Sequence, residues 1–190
     1  MDHIVIGVSG ASGSILGLKT IGAVCRCGIH VDAIVTRAAY VTAAEEVLCR
    51  TEEDFRSALS IDQSLLSFHA IDDIGAPPAS GTFATLGMII VPCSMATLAA
   101  VALGLSDNLL RRAADVTIKE GRRLLIVPRE MPLSSIHLGH MHSLAKLGVV
   151  IMPPQPCWYQ RPKSLEDVED TIVARILGRF GLPSHVRRRG

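Results

Sequence analysis

The stretch His3-Ile-Val-Ile-Gly-Val-Ser-Gly-Ala-Ser-Gly13 decides the fold. Its first half is a short Ile/Val run without polar alternation, the pattern of a strand buried on both faces. Its second half holds only small residues, and helix-like sequence follows from Ile15 to Cys27. A strand that passes through glycine and serine into a helix brings backbone N–H groups to a helix N-terminus, which attracts anions. Ser12 adds a hydroxyl there. A glycine-rich turn that merely packs the helix closely fits this loop as well. The apolar run is too short, and lacks the basic flank, for a signal peptide.

The same unit recurs along the chain. Strands are predicted over His3 to Val8, His30 to Thr36, Met88 to Pro92, Leu124 to Val127 and Val149 to Met152. Helices are predicted near Ile15 to Cys27, Ala38 to Arg50, Met95 to Leu103, Asn108 to Gly121, Ser134 to Leu147 and Ser164 to Phe180. Ser164 with Asp167 three residues on resembles a capping box, and Gly28 and Gly148 stand where helices should stop. The alternation implies an α/β protein, a three-layer α/β/α Rossmann-like fold with a mainly parallel central sheet. The only Gly/Pro-rich interruption, Gly75-Ala-Pro-Pro-Ala-Ser-Gly81, is too short to separate domains, so residues 1–190 read as one domain with a basic tail over 183–190. In such sheets ligands bind beyond the carboxyl ends of the strands, where strand order reverses.

Composition narrows the function. Hydrophobic residues make up 48% of the chain and charged residues 19%, with a formal net charge of +1. Nucleic acid is not expected as a partner, because only the tail Arg187-Arg188-Arg189 concentrates basic charge. The apolar excess points to surface covered by other subunits. No apolar stretch reaches the length of about 20 residues that spans a membrane. Five irregularly spaced cysteines read as reduced thiols of a cytoplasmic protein.

The other strand ends carry the chemistry. Val91-Pro-Cys-Ser-Met-Ala-Thr97 repeats the small, hydroxyl-bearing turn before a helix, and the second strand ends in Thr36-Arg37. The acid that would hold an adenosine ribose is missing, so a mononucleotide fits better than a dinucleotide. Ser94 and Thr97 could instead only cap their helix. In Asn108-Leu-Leu-Arg-Arg-Ala-Ala-Asp-Val-Thr-Ile-Lys-Glu120, Arg112 and Lys119 share a helix face about 10.5 Å apart along the axis. They could hold one phosphate group if neighbouring loops converge, but helix geometry alone favours simple pairing with Asp115.

Arg129 and Glu130 follow the strand Leu124 to Val127; a guanidinium fork suits phosphate, and a carboxyl beside phosphate can exchange protons with it. They read equally as a surface ion pair. Tyr159 and Arg175 could form a phosphate clamp with Trp158 walling a cavity. Singly, they read as a core aromatic and a helix-surface charge. His137, His140 and His142 lack the spacing of a standard metal site.

Taken together, Gly10-Ala-Ser-Gly13, Pro78-Ala-Ser-Gly81, Val91-Pro-Cys-Ser94 with Thr97, Arg112-Ala-Ala-Asp115 with Lys119-Glu120, Val127-Pro-Arg-Glu130 and Val173-Ala-Arg175 resemble the UbiX-type flavin prenyltransferases over nearly the whole chain. The resemblance implies a flavoprotein fold and FMN contacts from Gly10, Ala11, Ser12, Thr36, Ser94, Met95, Ala96, Thr97 and Arg129. It implies a dimethylallyl phosphate site of Arg112, Lys119, Glu130, Tyr159 and Arg175, with Ser12, Glu130, Lys119 and Arg112 catalytic. The implied reaction prenylates reduced FMN at N5 and closes a ring onto C6, without metal, in a homo-oligomer, a dodecamer, for a UbiD-type decarboxylase. Ile74, Trp158 and Gly139-His140 depart from the family pattern. Two rivals are an FMN-dependent decarboxylase, whose Pro-x-Met-Asn-x-x-Met-Trp motif is missing here, and a flavin carrier, which would not need the charged cluster.

Overall fold

The structure, a computed structural model, describes residues 2–183. The basic tail, apart from Pro183, lies outside the described residues. The chain runs β1 (His3–Val8), α1 (Ser14–Arg26), β2 (His30–Val35), α2 (Arg37–Glu46), α3 (Glu52–Ser57), β3 (Leu66–His69), β4 (Gly87–Cys93), α4 (Met95–Ala102), α5 (Leu109–Lys119), β5 (Arg123–Pro128), α6 (Ser135–Lys146), β6 (Val150–Ile151) and α7 (Leu165–Arg179). All six strands form one sheet in the order β3-β2-β1-β4-β5-β6, and every pairing is parallel. The expected Rossmann-like three-layer fold is therefore present.

Side-chain alternation builds the layers. Ile4, Ile6 and Val8 of β1 face one core with Leu16, Ile21 and Val24 of α1 and Ile172, Val173 and Ile176 of α7. Val5 faces the other with Met88 and Ile90 of β4 and Leu109, Leu110 and Ala113 of α5. Burying one such Ile or Leu contributes about 1.5–3 kcal/mol, so uninterrupted Ile/Val strands only make sense between two helical layers.

The turns follow local chemistry. Thr36, Ser94, Asn108, Ser134 and Ser164 each accept a backbone N–H from their own helix, and Ser164–Asp167 closes a full capping box. Helix α1 differs: its N-cap is Gly13, at φ 103°, and it supplies no side chain. The sequence patterning overlooked β3, a four-residue strand at an outer position, and α3. It also ran α2 past Glu46 to Arg50, whereas Leu48 takes a left-handed φ of 58° that ends the helix.

Candidate functional site

Strand order reverses between β1 and β4, and their carboxyl ends are tied together there. Ser9 Oγ accepts the Ser94 N–H at 2.8 Å and lies 3.2 Å from the Pro92 carbonyl oxygen, to which it donates. This buried link fixes the first loop against the N-terminus of α4. A cleft of about 320 Å³ opens beside it, lined by Gly10, Thr36, Ala38, Ser94, Ala96, Thr97 and Asn108, with Ile71 and Leu110 as apolar wall and Arg37 and Arg111 at its margin. A larger groove of about 640 Å³ lies between α1 and α7. It is away from the strand ends and holds none of the expected site residues.

Each part of the cleft has a local cause. A Cβ on Gly10 would stand 2.5 Å from the Ala38 Cβ, so only glycine lets the first loop come this close to α2. Thr36 Oγ1 accepts the Ala39 N–H at 3.1 Å, and Ser94 Oγ accepts the Thr97 N–H at 3.3 Å and donates to Thr97 Oγ1 at 3.1 Å. The capping reading of these hydroxyls is therefore correct, and they also face the cleft. Among the described residues no acceptor meets the N–H groups of Met95 and Ala96 at the start of α4. Those groups, with the helix dipole, are what an anionic phosphate needs. Burial pushes the Cys93 thiol up to about 12 against an opposing Ser9 hydrogen bond, so it is a poor nucleophile.

The α1 terminus is arranged differently from the expectation. Its anion is internal: Glu46 Oε2 accepts the N–H groups of Ser14 at 2.8 Å and Gly13 at 2.9 Å. Burial alone would raise the Glu46 carboxyl, but a hydrogen bond from Ser12 and those from Ser14 and Gly13 hold it below its ordinary value. Ser12 is exposed and Ala11 buried, its N–H donated to the Ser9 carbonyl at 2.8 Å. Glu46 is the capping residue that sequence reasoning missed. The one available signal was that Gly13 leaves α1 without a side-chain cap, so a distant acceptor was required.

The charged residues fall into two groups. Arg112 donates from Nε to the Ala79 carbonyl at 3.2 Å and pairs through Nη1 with Asp115 at 3.0 Å. Lys119 pairs with Glu120 rather than Asp115. A Cβ on Gly81 would collide with the Glu120 carboxylate and come 2.9 Å from Lys119 Nζ. The Pro77–Gly81 loop thus converges on both cations, as a shared phosphate site requires.

The second group lies beyond β5 and at α7. The Arg129 N–H is donated to the Cys93 carbonyl at 3.0 Å while the residue stays exposed. Glu130 Oε1 accepts only its neighbour's N–H, from Met131 at 3.0 Å. Arg175 Nη1 donates to Cys157 Sγ at 3.4 Å. Trp158 and Tyr159 are 76% and 78% exposed, so neither is a core aromatic, and the expected Trp158 wall is not closed within one chain. No hydrogen bond or ion pair among the described residues joins this group to Arg112 and Lys119. His137 Nδ1 accepts the Ser134 N–H at 3.2 Å, which gives that histidine a capping role.

Comparison with known proteins bears on this arrangement. The flavoprotein family model matches residues 1–177. Flavin prenyltransferase UbiX of Chlamydia muridarum is 43% identical, over 100% of this chain and 97% of its own length. Its counterpart from Halalkalibacterium halodurans is 43% identical over 93% of this chain and 87% of its own. A dodecameric FMN-dependent UbiX-like decarboxylase from Escherichia coli superposes with a TM-score of 0.89 at 38% identity, covering 99% of this chain and 98% of that one. AnUbiX (PadA1) in complex with FMN and dimethylallyl pyrophosphate gives a TM-score of 0.89 at 38% identity, with 100% and 98% covered.

Proposed function

The chain belongs to the flavoprotein family and, within it, to the UbiX flavin prenyltransferases, and from that premise we propose that it transfers a dimethylallyl group from dimethylallyl phosphate to reduced FMN. The product is prenylated FMN, alkylated at N5 and closed onto C6. The observation that carries this reading is the cleft at the β1/β4 reversal, whose size and small hydroxyl lining fit a mononucleotide. Glu130 follows β5 at the same end of the sheet, and Arg112 lies one turn into α5, whose N-terminus borders the cleft.

Reduced FMN supplies the nucleophilic nitrogen when bound. The chain's residues do the rest. The α4 N–H groups, Ser94, Thr97 and Thr36 hold the flavin phosphate and ribityl chain, with Gly10, Ala11 and Arg129 at the margin. Arg112 and Lys119 hold the donor phosphate through charge, with Tyr159 and Arg175 closing on it. The Glu130 carboxyl exchanges a proton with the departing phosphate, which makes it a better leaving group. Ser12, on the loop whose next two N–H groups Glu46 accepts, relays a proton at the flavin edge.

The two charged groups do not meet within one chain, and a relative is dodecameric. We read the site as completed between copies in a homo-oligomer. The exposed Met131, Ile136, Leu138 and Trp158 supply apolar surface for it. No described helix is long and apolar enough to cross a membrane. Five free thiols suit the cytoplasm. The product would pass to a UbiD-type decarboxylase. Residues 1–190 act as one functional unit. The test supplies reduced FMN and dimethylallyl phosphate under anaerobic conditions and weighs the released flavin: a gain of one five-carbon unit supports transfer, and an unchanged flavin overturns it.

A further inference from the structure

A second cluster of titratable groups lies at the opposite, amino-terminal end of the sheet. His3 opens β1, His30 opens β2 directly beside it in register, and Asp32 stands two residues further on the same face as His30. Asp32 is 3% exposed. Its Oδ2 lies 2.8 Å from His3 Nδ1, and its Oδ1 lies 2.8 Å from Nε2 of His69, the last residue of β3. One ligating atom from each of His3, His30 and Asp32 falls within 4.8 Å of the other two. We propose that His3, His30 and Asp32 form a binding site for a divalent cation of the zinc class, with His69 holding the carboxylate in position.

The donor set is right for that class. Two imidazoles and a carboxylate suit a borderline transition-metal ion better than magnesium or calcium, which prefer oxygen ligands. Among the described ion pairs only imidazoles meet Asp32, so a buried carboxylate on a central strand has no permanently charged partner. Tetrahedral zinc sets neighbouring ligand atoms about 3.3 Å apart. His3 Nδ1 and Asp32 Oδ2, at 2.8 Å, are already that close, and no pair in the cluster exceeds 4.8 Å, a spread that small ring rotations of His3 and His30 can close.

Access and support are also present. The His3 side chain is 27% exposed, so an ion can enter from solvent and keep water in a remaining position. The His3 and His30 rings lie 4.6 Å apart between centroids, and the His30 Nε2 is fixed by Ser67 Oγ at 2.9 Å. The His69 bond to Oδ1 leaves Oδ2 as the ligating oxygen, the outer-shell support that bound metals use. The site is a strand length, roughly 16 Å, from the flavin cleft. Its role is to staple β1 to β2, and prenyl transfer does not depend on it.

The test uses untagged full-length protein, stripped with chelator and titrated with cobalt and then zinc chloride. One cobalt ion per chain is expected, with visible d–d bands and no near-ultraviolet thiolate charge-transfer band, and zinc should displace it and raise the Tm. His3→Gln and His30→Gln should each weaken cobalt binding at least tenfold while retaining circular dichroism and FMN binding. Should His3→Gln misfold, His30→Gln decides, since among the described residues its ring is hydrogen-bonded only to Ser67. A His140→Ala/His142→Ala variant should bind as the parent does. No cobalt spectrum, thiolate bands, binding undiminished in His30→Gln, or binding lost in the His140/His142 variant would each overturn the proposal.

Discussion

Glu46 Oε2 lies 2.8 Å from the Ser14 amide nitrogen, so the last residue of α2 caps the first turn of α1 across 32 positions of sequence. The carboxylate fills the place that Gly13 cannot and fixes the backbone that follows Ser12. Glu46→Gln should therefore act twice. Stability should fall by about 1 kcal/mol, the usual worth of a helix cap, measured by urea unfolding. Prenyl transfer should slow by on the order of a hundredfold if the pair moves a proton, with FMN binding retained.

Among the described residues Glu130 makes no hydrogen bond beyond its neighbour's N–H and no ion pair, so the described fold does not depend on it. Glu130→Gln is expected to bind FMN and unfold like the parent while single-turnover prenyl transfer drops by about two orders of magnitude, the low end for a lost proton-transfer group. Unchanged turnover removes Glu130 from the chemistry.

Arg112 grips the Ala79 carbonyl and Asp115, both on the donor side. Arg112→Lys keeps the charge but loses the planar fork. The KM for dimethylallyl phosphate should rise about tenfold, near 1.4 kcal/mol, with the FMN dissociation constant unchanged. A change in both would place Arg112 in the flavin cleft instead.

Gly10 meets Ala38 too closely for any side chain. Gly10→Ala should displace α2 from the first loop, cost about 1–3 kcal/mol by overpacking, and weaken FMN binding at least tenfold. Fluorescence titration of FMN and thermal unfolding measure the two effects separately.

Asp32 gives the pH dependence. Burial raises its carboxyl, but hydrogen bonds and charge from His69 and His3 outweigh that, and its folded value lies below the ordinary 3.8. A depressed carboxyl stabilises the fold above its unfolded value, and that contribution is lost as pH falls through the lower folded value. In metal-free protein Asp32→Asn should cost about 2 kcal/mol at neutral pH, as for hydrogen bonds to a charged group. The difference from the parent should shrink below 3.8, and one that persists in acid would refute the assignment.

Much of this was legible in the chain. The double-sided Ile/Val strands and the Thr36, Ser94 and Ser164 caps are encoded within a few residues, and local physics suffices to read them. Leu66–His69 was overlooked because its residues are mostly half-buried and its pattern short. Glu46 was missed because its partners are distant in sequence, and a glutamate on a helix surface has no local mark. The environment of Asp32 depends on register: only the pairing of β1, β2 and β3 brings three histidines around it. Trp158 was expected to wall a cavity and Tyr159 to clamp phosphate with Arg175, but one chain leaves both side chains bare.

The outermost strands of the sheet hold four and two residues. Strands this short offer little unpaired backbone as a template, so adding a foreign strand at either flank gains few hydrogen bonds. Self-association is thereby steered away from open-ended sheet extension toward side-chain packing between helices and loops. That kind of contact can close on itself in a finite particle, which suits a chain that exposes as many leucines as this one.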